Sequence, residues 1–168
     1  METPPPPAPS TGATPPRRQR VRPEELSFDA SGALKLPGPV EFETGTDKLS
    51  PTSDAVLEIV HDYLDQSPEV TLLRIEGHTD SEGNPATNQT LSEKRALAVA
   101  RWLVGVGVAC NRLIPVGFGP TKPIVLNDTP ANRAANRRVA FVKASIKNKP
   151  IGGLMVDGGG QPAGDPCH

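Results

Sequence analysis

Apolar positions recur with two different periods along the middle of the chain. Val56, Leu57, Ile59, Val60, Tyr63 and Leu64 fall on one face of a helix. Ser50 suits an N-cap and Pro51 a first helical position, so this helix is expected from there to about Gln66, where Ser67-Pro68 stops it. Val70, Leu72, Leu73 and Ile75 then form a short apolar run of strand length. The run ends in Gly77-His78-Thr79-Asp80 and the turn residues Ser81 to Pro85. A second helical pattern occupies residues 88–106, with Gly107 at its end. Leu113, Ile114 and Val116 mark a strand within 111–119, and residues 139–146 read as the last strand. Val40 and Phe42, ahead of Gly45-Thr46, suggest a first short strand, while 127–136 is a polar loop or short helix.

The predicted order is β-α-β-α-β-(loop)-β. It implies an α+β two-layer sandwich, two main helices packed on one face of a mixed four-stranded sheet. Right-handed β-α-β crossovers make part of that sheet parallel. Residues 1–25 read as a Pro-rich flexible linker, 26–146 as the domain with its core in 38–146, and 147–168 as a flexible Gly-rich tail.

One charge stands out against the second helical pattern. At ~100° per residue from Leu91, an apolar arc holds Ala96, Ala98, Val99, Trp102, Leu103 and Val106, and Arg95 falls inside it at about 40°. An arginine on a buried face is costly unless it meets an anion. The turn that feeds this helix carries Asp80. Two arrangements fit: Arg95 and Asp80 pair with each other, or each holds the opposite charge of a ligand bearing both an ammonium and a carboxylate.

Net charge is −1 over 168 residues, so nothing global points to nucleic acid. The only basic cluster, Arg17, Arg18, Arg20 and Arg22, lies in a stretch where eight of the first 23 residues are proline, and reads as solvated linker. Cys110 and Cys167 are either two unrelated thiols or, in an oxidising compartment, a disulfide pinning the tail. No apolar run reaches the ~20 residues of a membrane helix. No basic-then-apolar leader follows Met1. Export information is therefore expected to have been removed or to lie upstream, unless the protein stays inside.

Other chemistries find little support. His78 and Asp80 lack further ligands for a metal. No nucleophile or second acid stands at a suggestive spacing from them, which argues against a hydrolase. Gly117-Phe118-Gly119 lacks the third glycine of a dinucleotide site. No cofactor is expected.

Phe42-x-x-Gly45-x-x-x-Leu49, Gly77-His78-Thr79-Asp80, Asn88-x-x-Leu91-Ser92-x-x-Arg95-Ala96, Gly117-x-Gly119, Pro123, Asn127 and Asn136-Arg137-Arg138-Val139 occur in order. Over about residues 38–146 this set resembles the C-terminal domain family of outer-membrane protein A, which includes the peptidoglycan-associated lipoprotein and the stator protein MotB. The resemblance implies non-catalytic binding of peptidoglycan at the diaminopimelate of the stem peptide. Asp80 would hold the ammonium and Arg95 the carboxylate, with Asn88, Thr79 and Arg137 in supporting roles. Ala140 stands where members often carry an acid. The implied place is the periplasm, associated with the outer membrane. The implied partner is an outer-membrane or envelope protein reached through the linker; a flagellar-stator or secretion-system wall anchor is the alternative. A peptidoglycan hydrolase and a protein–protein scaffold are the competing classes. Nothing in the sequence fixes the oligomeric state.

Overall fold

The computed structural model describes residues 25–29, 32–43, 45–151 and 155–167. The expected linker, Glu25 apart, lies outside them. Helix α1 (Ser53–Asp65) leads to strand β1 (Val70–His78), helix α2 (Pro85–Gly105), a 3-10 turn (Cys110–Arg112) and β2 (Leu113–Gly119). A short α3 (Pro130–Asn136) precedes β3 (Arg138–Ile146), and two-residue strands β4 (Lys149–Pro150) and β5 (Gln161–Pro162) follow. The sheet runs β4-β3-β1-β2-β5. β1 and β2 are parallel across the α2 crossover, and β1 and β3 are antiparallel. The α+β, mixed-sheet reading holds, with five strands in place of four.

The expected first strand does not join the sheet. Phe42 bridges Leu49 instead, and Glu43 N donates to Lys48 O at 2.8 Å, so residues 42–43 pair with 48–49. The two extra strands come from the segment expected to be a flexible tail. Lys147 N donates to Glu69 O, β5 pairs with β2, Ala163 N donates to Pro115 O, and Cys167 is disulfide-bonded to Cys110. The tail thus covers a sheet edge that would otherwise expose unpaired backbone groups.

Helix starts also differ from expectation. α1 begins at Ser53, not after Ser50, because Ser53 is turned inward: its Oγ donates to Glu41 O and accepts from Glu41 N, both at 2.7 Å. α2 begins three residues early. Asn84 Oδ1 accepts from Ala86 N and Thr87 N, and Pro85 takes the first position, so residues read as turn are its cap.

The buried face of α2 is Ser92, Ala96, Val99, Ala100 and Leu103. That is rotated by roughly 60° from the predicted arc. Trp102 is only partly buried and Val106 is exposed. The cause lies in the sheet. A Cβ on Gly77 would meet Ser92 O at 2.1 Å, and one on Gly117 would meet Glu93 Cγ at 2.4 Å. With glycine on β1 and β2, the helix lies close and turns its small residues down. Ser92 Oγ donates to Gln89 O and accepts from Gly119 N, satisfying the one hydroxyl this buries. Leu57, Val60, Leu64, Leu73, Ile75, Val99, Leu103 and Phe141 fill the core between sheet and helices. Among the described residues no helix is long and apolar enough to cross a membrane.

Candidate functional site

β1 ends at His78, and the chain turns at Thr79-Asp80 before climbing to the α2 cap. The turn is tied down locally. Thr79 N donates to Gly119 O, and Asp80 Oδ1 accepts from Glu82 N at 3.0 Å. Asn88 Nδ2 donates to Glu82 O at 2.7 Å. Asp80 keeps its second oxygen, Oδ2, for Arg137 Nη1 at 2.5 Å. The aspartate side chain is nearly buried and the arginine about half exposed. Arg137 joins α3 to β3, so the entry to β3 delivers this partner to the tip of β1.

Of the two arrangements the sequence allowed, direct pairing of Asp80 with Arg95 is not formed. With the helix face rotated, Arg95 sits on the flank of α2 rather than beneath it. Its Nε donates to Thr46 O at 2.8 Å, and its guanidinium lies 4.9 Å from the Phe42 ring centroid. Phe42 and Thr46 therefore serve as a shelf for Arg95. Burial holds Arg95 below its ordinary pKa; Arg137 adds repulsion, and Asp47 opposes it. Its described contacts are a carbonyl and an aromatic face, which orient a cation without neutralising it.

A cleft of about 510 Å³ is lined by Phe42, Gly45, Gly77, Arg95, Arg137 and Arg138, among others. It gathers three guanidinium groups, while Glu41 is the acid of its lining. Asp80 is linked to the cleft through Arg137. Thr79 and Asn88 are not among the lining residues. Thr79 is buried, with Oγ1 donating to Asp80 O, and Asn88 fastens the turn, so both act here as supports. Arg95 faces the cleft and can receive a small anion there; Asp80 is buried, does not line the cleft, and already accepts from Glu82 N and Arg137 Nη1.

The sequence reading missed a second polar row. Arg74, Glu76 and His78 alternate along β1 on the face away from α2. Glu76 accepts from Arg74 Nε at 2.6 Å and from His78 Nε2 at 2.9 Å. Burial would raise the Glu76 pKa, but these two bonds outweigh it and hold the carboxyl below its usual value. Burial lowers that of His78, and Arg138 and Lys122 reinforce this against Glu76. The imidazole stacks on Phe118 at 5.0 Å. The alternation of charged residues in the strand was the available signal.

Comparison with known families matches residues 41–137 to the OmpA family. Outer membrane porin F of Pseudomonas aeruginosa is 38% identical over 133 residues, covering 74% of this chain and 38% of the porin. The peptidoglycan-binding protein ArfA of Mycobacterium bovis is 40% identical over 105 residues, covering 62% of this chain and 32% of ArfA. The chain spans only about a third of the length of these curated relatives. Among solved structures, the peptidoglycan-associated lipoprotein from Burkholderia pseudomallei is 33% identical. Its TM-score is 0.56, over 61% of this chain and 86% of that one.

Proposed function

Because the chain belongs to the OmpA family, we propose that it binds peptidoglycan without catalysis and anchors an envelope component to the cell wall. In this reading the ligand is the diaminopimelate of the stem peptide. Arg95 holds a carboxylate and Asp80 the ammonium, while Arg137 orients Asp80. Asn88 and Thr79 support the turn from behind. The observation that carries the reading is the state of Arg95: an oriented, half-buried guanidinium facing an open cleft, its contacts a carbonyl and a ring. A ligand carboxylate would bond directly to a cation that Asp47 offsets only through space.

A charge-assisted hydrogen bond contributes about 1.5–3 kcal/mol. Two such anchors give modest affinity for one stem peptide, and the repeats of a polymer give retention through avidity. The place proposed is the periplasm, associated with the outer membrane, with the N-terminal segment as the link to an outer-membrane or envelope protein.

Co-sedimentation with purified sacculi tests this. Wild type should pellet, and Asp80→Ala and Arg95→Ala should stay largely in the supernatant; Asp80→Ala also frees Glu82 N and Arg137, so both variants are compared at a temperature where circular dichroism shows them folded. Equal pelleting of the folded variants would refute the site. Soluble muropeptides released from the sacculi would refute the non-catalytic reading.

A further inference from the structure

A second cleft, of about 430 Å³, opens on the sheet face away from α2. Arg74, Glu76, His78, Lys122, Ile124 and Arg138 are among its lining residues. It shares Pro39, Val40, His78, Arg138 and Val139 with the first cleft, so the two adjoin along β3. The reason is local. Arg137 and Arg138 are consecutive, with Cα atoms about 3.8 Å apart. Successive side chains of extended backbone point to opposite sides. Arg137 thus turns to Asp80, and Arg138 reaches the polar row.

The charges of this second cleft do not cancel internally. Glu76 is already shared by Arg74 and His78. Asp29 Oδ1 accepts from Ala33 N. Arg138 spends its described hydrogen bonds on two carbonyls, Asn136 O at 3.3 Å and Lys122 O at 3.2 Å. Lys122 Nζ donates to Gly158 O at 3.2 Å and lies 4.4 Å from the Phe118 centroid. Glu76 and Asp29 offset the charge of Arg138 through space, but Arg74, Lys122 and Arg138 stand against those two acids, so the lining keeps an excess of positive charge. Leu36 and the exposed Ile124 supply apolar walls. From α2 to the loop after β2, the adjoining clefts present Arg95, Arg137, Arg138 and Lys122 in series.

We propose that the second cleft binds a second carboxylate of the same wall peptide, held by Arg138 and Lys122, so that the pair of clefts reads an extended dicarboxylate-bearing peptide and not one amino acid. This rests on the wall-binding reading above. The chemistry of stem peptides matches: a γ-linked glutamyl residue next to the diamino acid leaves its α-carboxylate free. Amidation of that carboxylate removes the charge and keeps the shape.

The test uses calorimetry on the full chain with three probes: meso-diaminopimelate, L-alanyl-γ-D-glutamyl-meso-diaminopimelate, and the same tripeptide with the glutamyl α-carboxylate amidated. The acid tripeptide should bind roughly tenfold tighter than its amidated form, as expected for one charge-assisted contact. Lys122→Gln, at an exposed position, should shrink that ratio, and Lys122→Gln with Arg138→Gln should bring it near one. Diaminopimelate affinity should hold within about twofold in Lys122→Gln. Equal affinity for acid and amidated tripeptides, with diaminopimelate still bound, would overturn the second cleft alone. Failure of diaminopimelate and both tripeptides to bind would overturn the wall-binding reading and this inference with it.

Discussion

Gly77 sets how closely α2 approaches the sheet, and Gly77→Ala measures what that closeness is worth. The added Cβ would meet Ser92 O at 2.1 Å, where ordinary contact begins at 3.4 Å. The helix backbone or the strand must then give by about 1.3 Å (3.4 − 2.1). The obstacle is backbone, so no rotamer change relieves it. Overpacking of this kind costs about 1–3 kcal/mol, and the lack of a flexible neighbour places Gly77→Ala at the upper end. A domain of this size should lose roughly 10 °C in Tm. The displacement also moves Arg95, on α2, relative to Asp80, beyond the tip of β1, so retention on sacculi should fall even at temperatures where the variant is folded. Urea unfolding followed by circular dichroism gives the stability, and co-sedimentation gives the binding. Gly105→Ala is the control, because a Cβ there meets nothing within 4 Å and the backbone is helical. It should be neutral or stabilising by up to about 1 kcal/mol. If Gly77→Ala unfolds at the wild-type urea midpoint, the close-approach argument is wrong.

Three further outcomes can be checked by the same unfolding assay. Cys110→Ser opens the 57-residue loop closed by Cys167, and the chain-entropy account sets the loss at up to about 4 kcal/mol. Faster amide exchange in 155–167 should accompany it, and an unchanged exchange pattern would show that the tail holds without the bond. Asn136 is fully buried and bonds Ile124 N, Val125 N, Val125 O and Asn127 Oδ1. Asn136→Ala should therefore cost about 2–3 kcal/mol and free the 124–127 amides to exchange. For pH, His78 and Glu76 both have folded pKa values below their usual 6.5 and 4.5. The unfolded chain then binds the more protons, and stability falls as pH drops below 6.5, with a second fall below 4.5. His78→Gln should flatten the first fall, and a wild-type urea midpoint that is level from pH 7.5 to 5.5 would contradict the assignment.

Much of the architecture was legible because it depends on short-range rules. The apolar runs at 70–75 and 113–116, the face of α1 and the parallel β-α-β unit follow from periodicity and handedness alone. Asp80 and Arg95 were also visible, one as an acid in a turn, the other as a base near an apolar stripe. What periodicity could not supply was the rotation of α2. A hydrophobic wheel assumes that the largest apolar residues face inward. Here Gly77 and Gly117 let the helix come so close that Ser92, Ala96 and Ala100 fit beneath it while Trp102 stays at the edge. Arg95 moves to the rim for the same reason.

From its sequence alone this chain determined its two long helices, its three long strands and their order, and it marked Asp80 and Arg95 as charges in unusual places, because each is written in residues a few positions apart. Tertiary structure decided who meets whom. It joined Asp80 to Arg137 across 57 positions, and it set Phe42 against Arg95. It also folded the Gly-rich tail onto β2. Those pairings depend on distance in space between segments remote in the chain. They come from the closure of the sheet and the depth of helix packing, which no local pattern encodes.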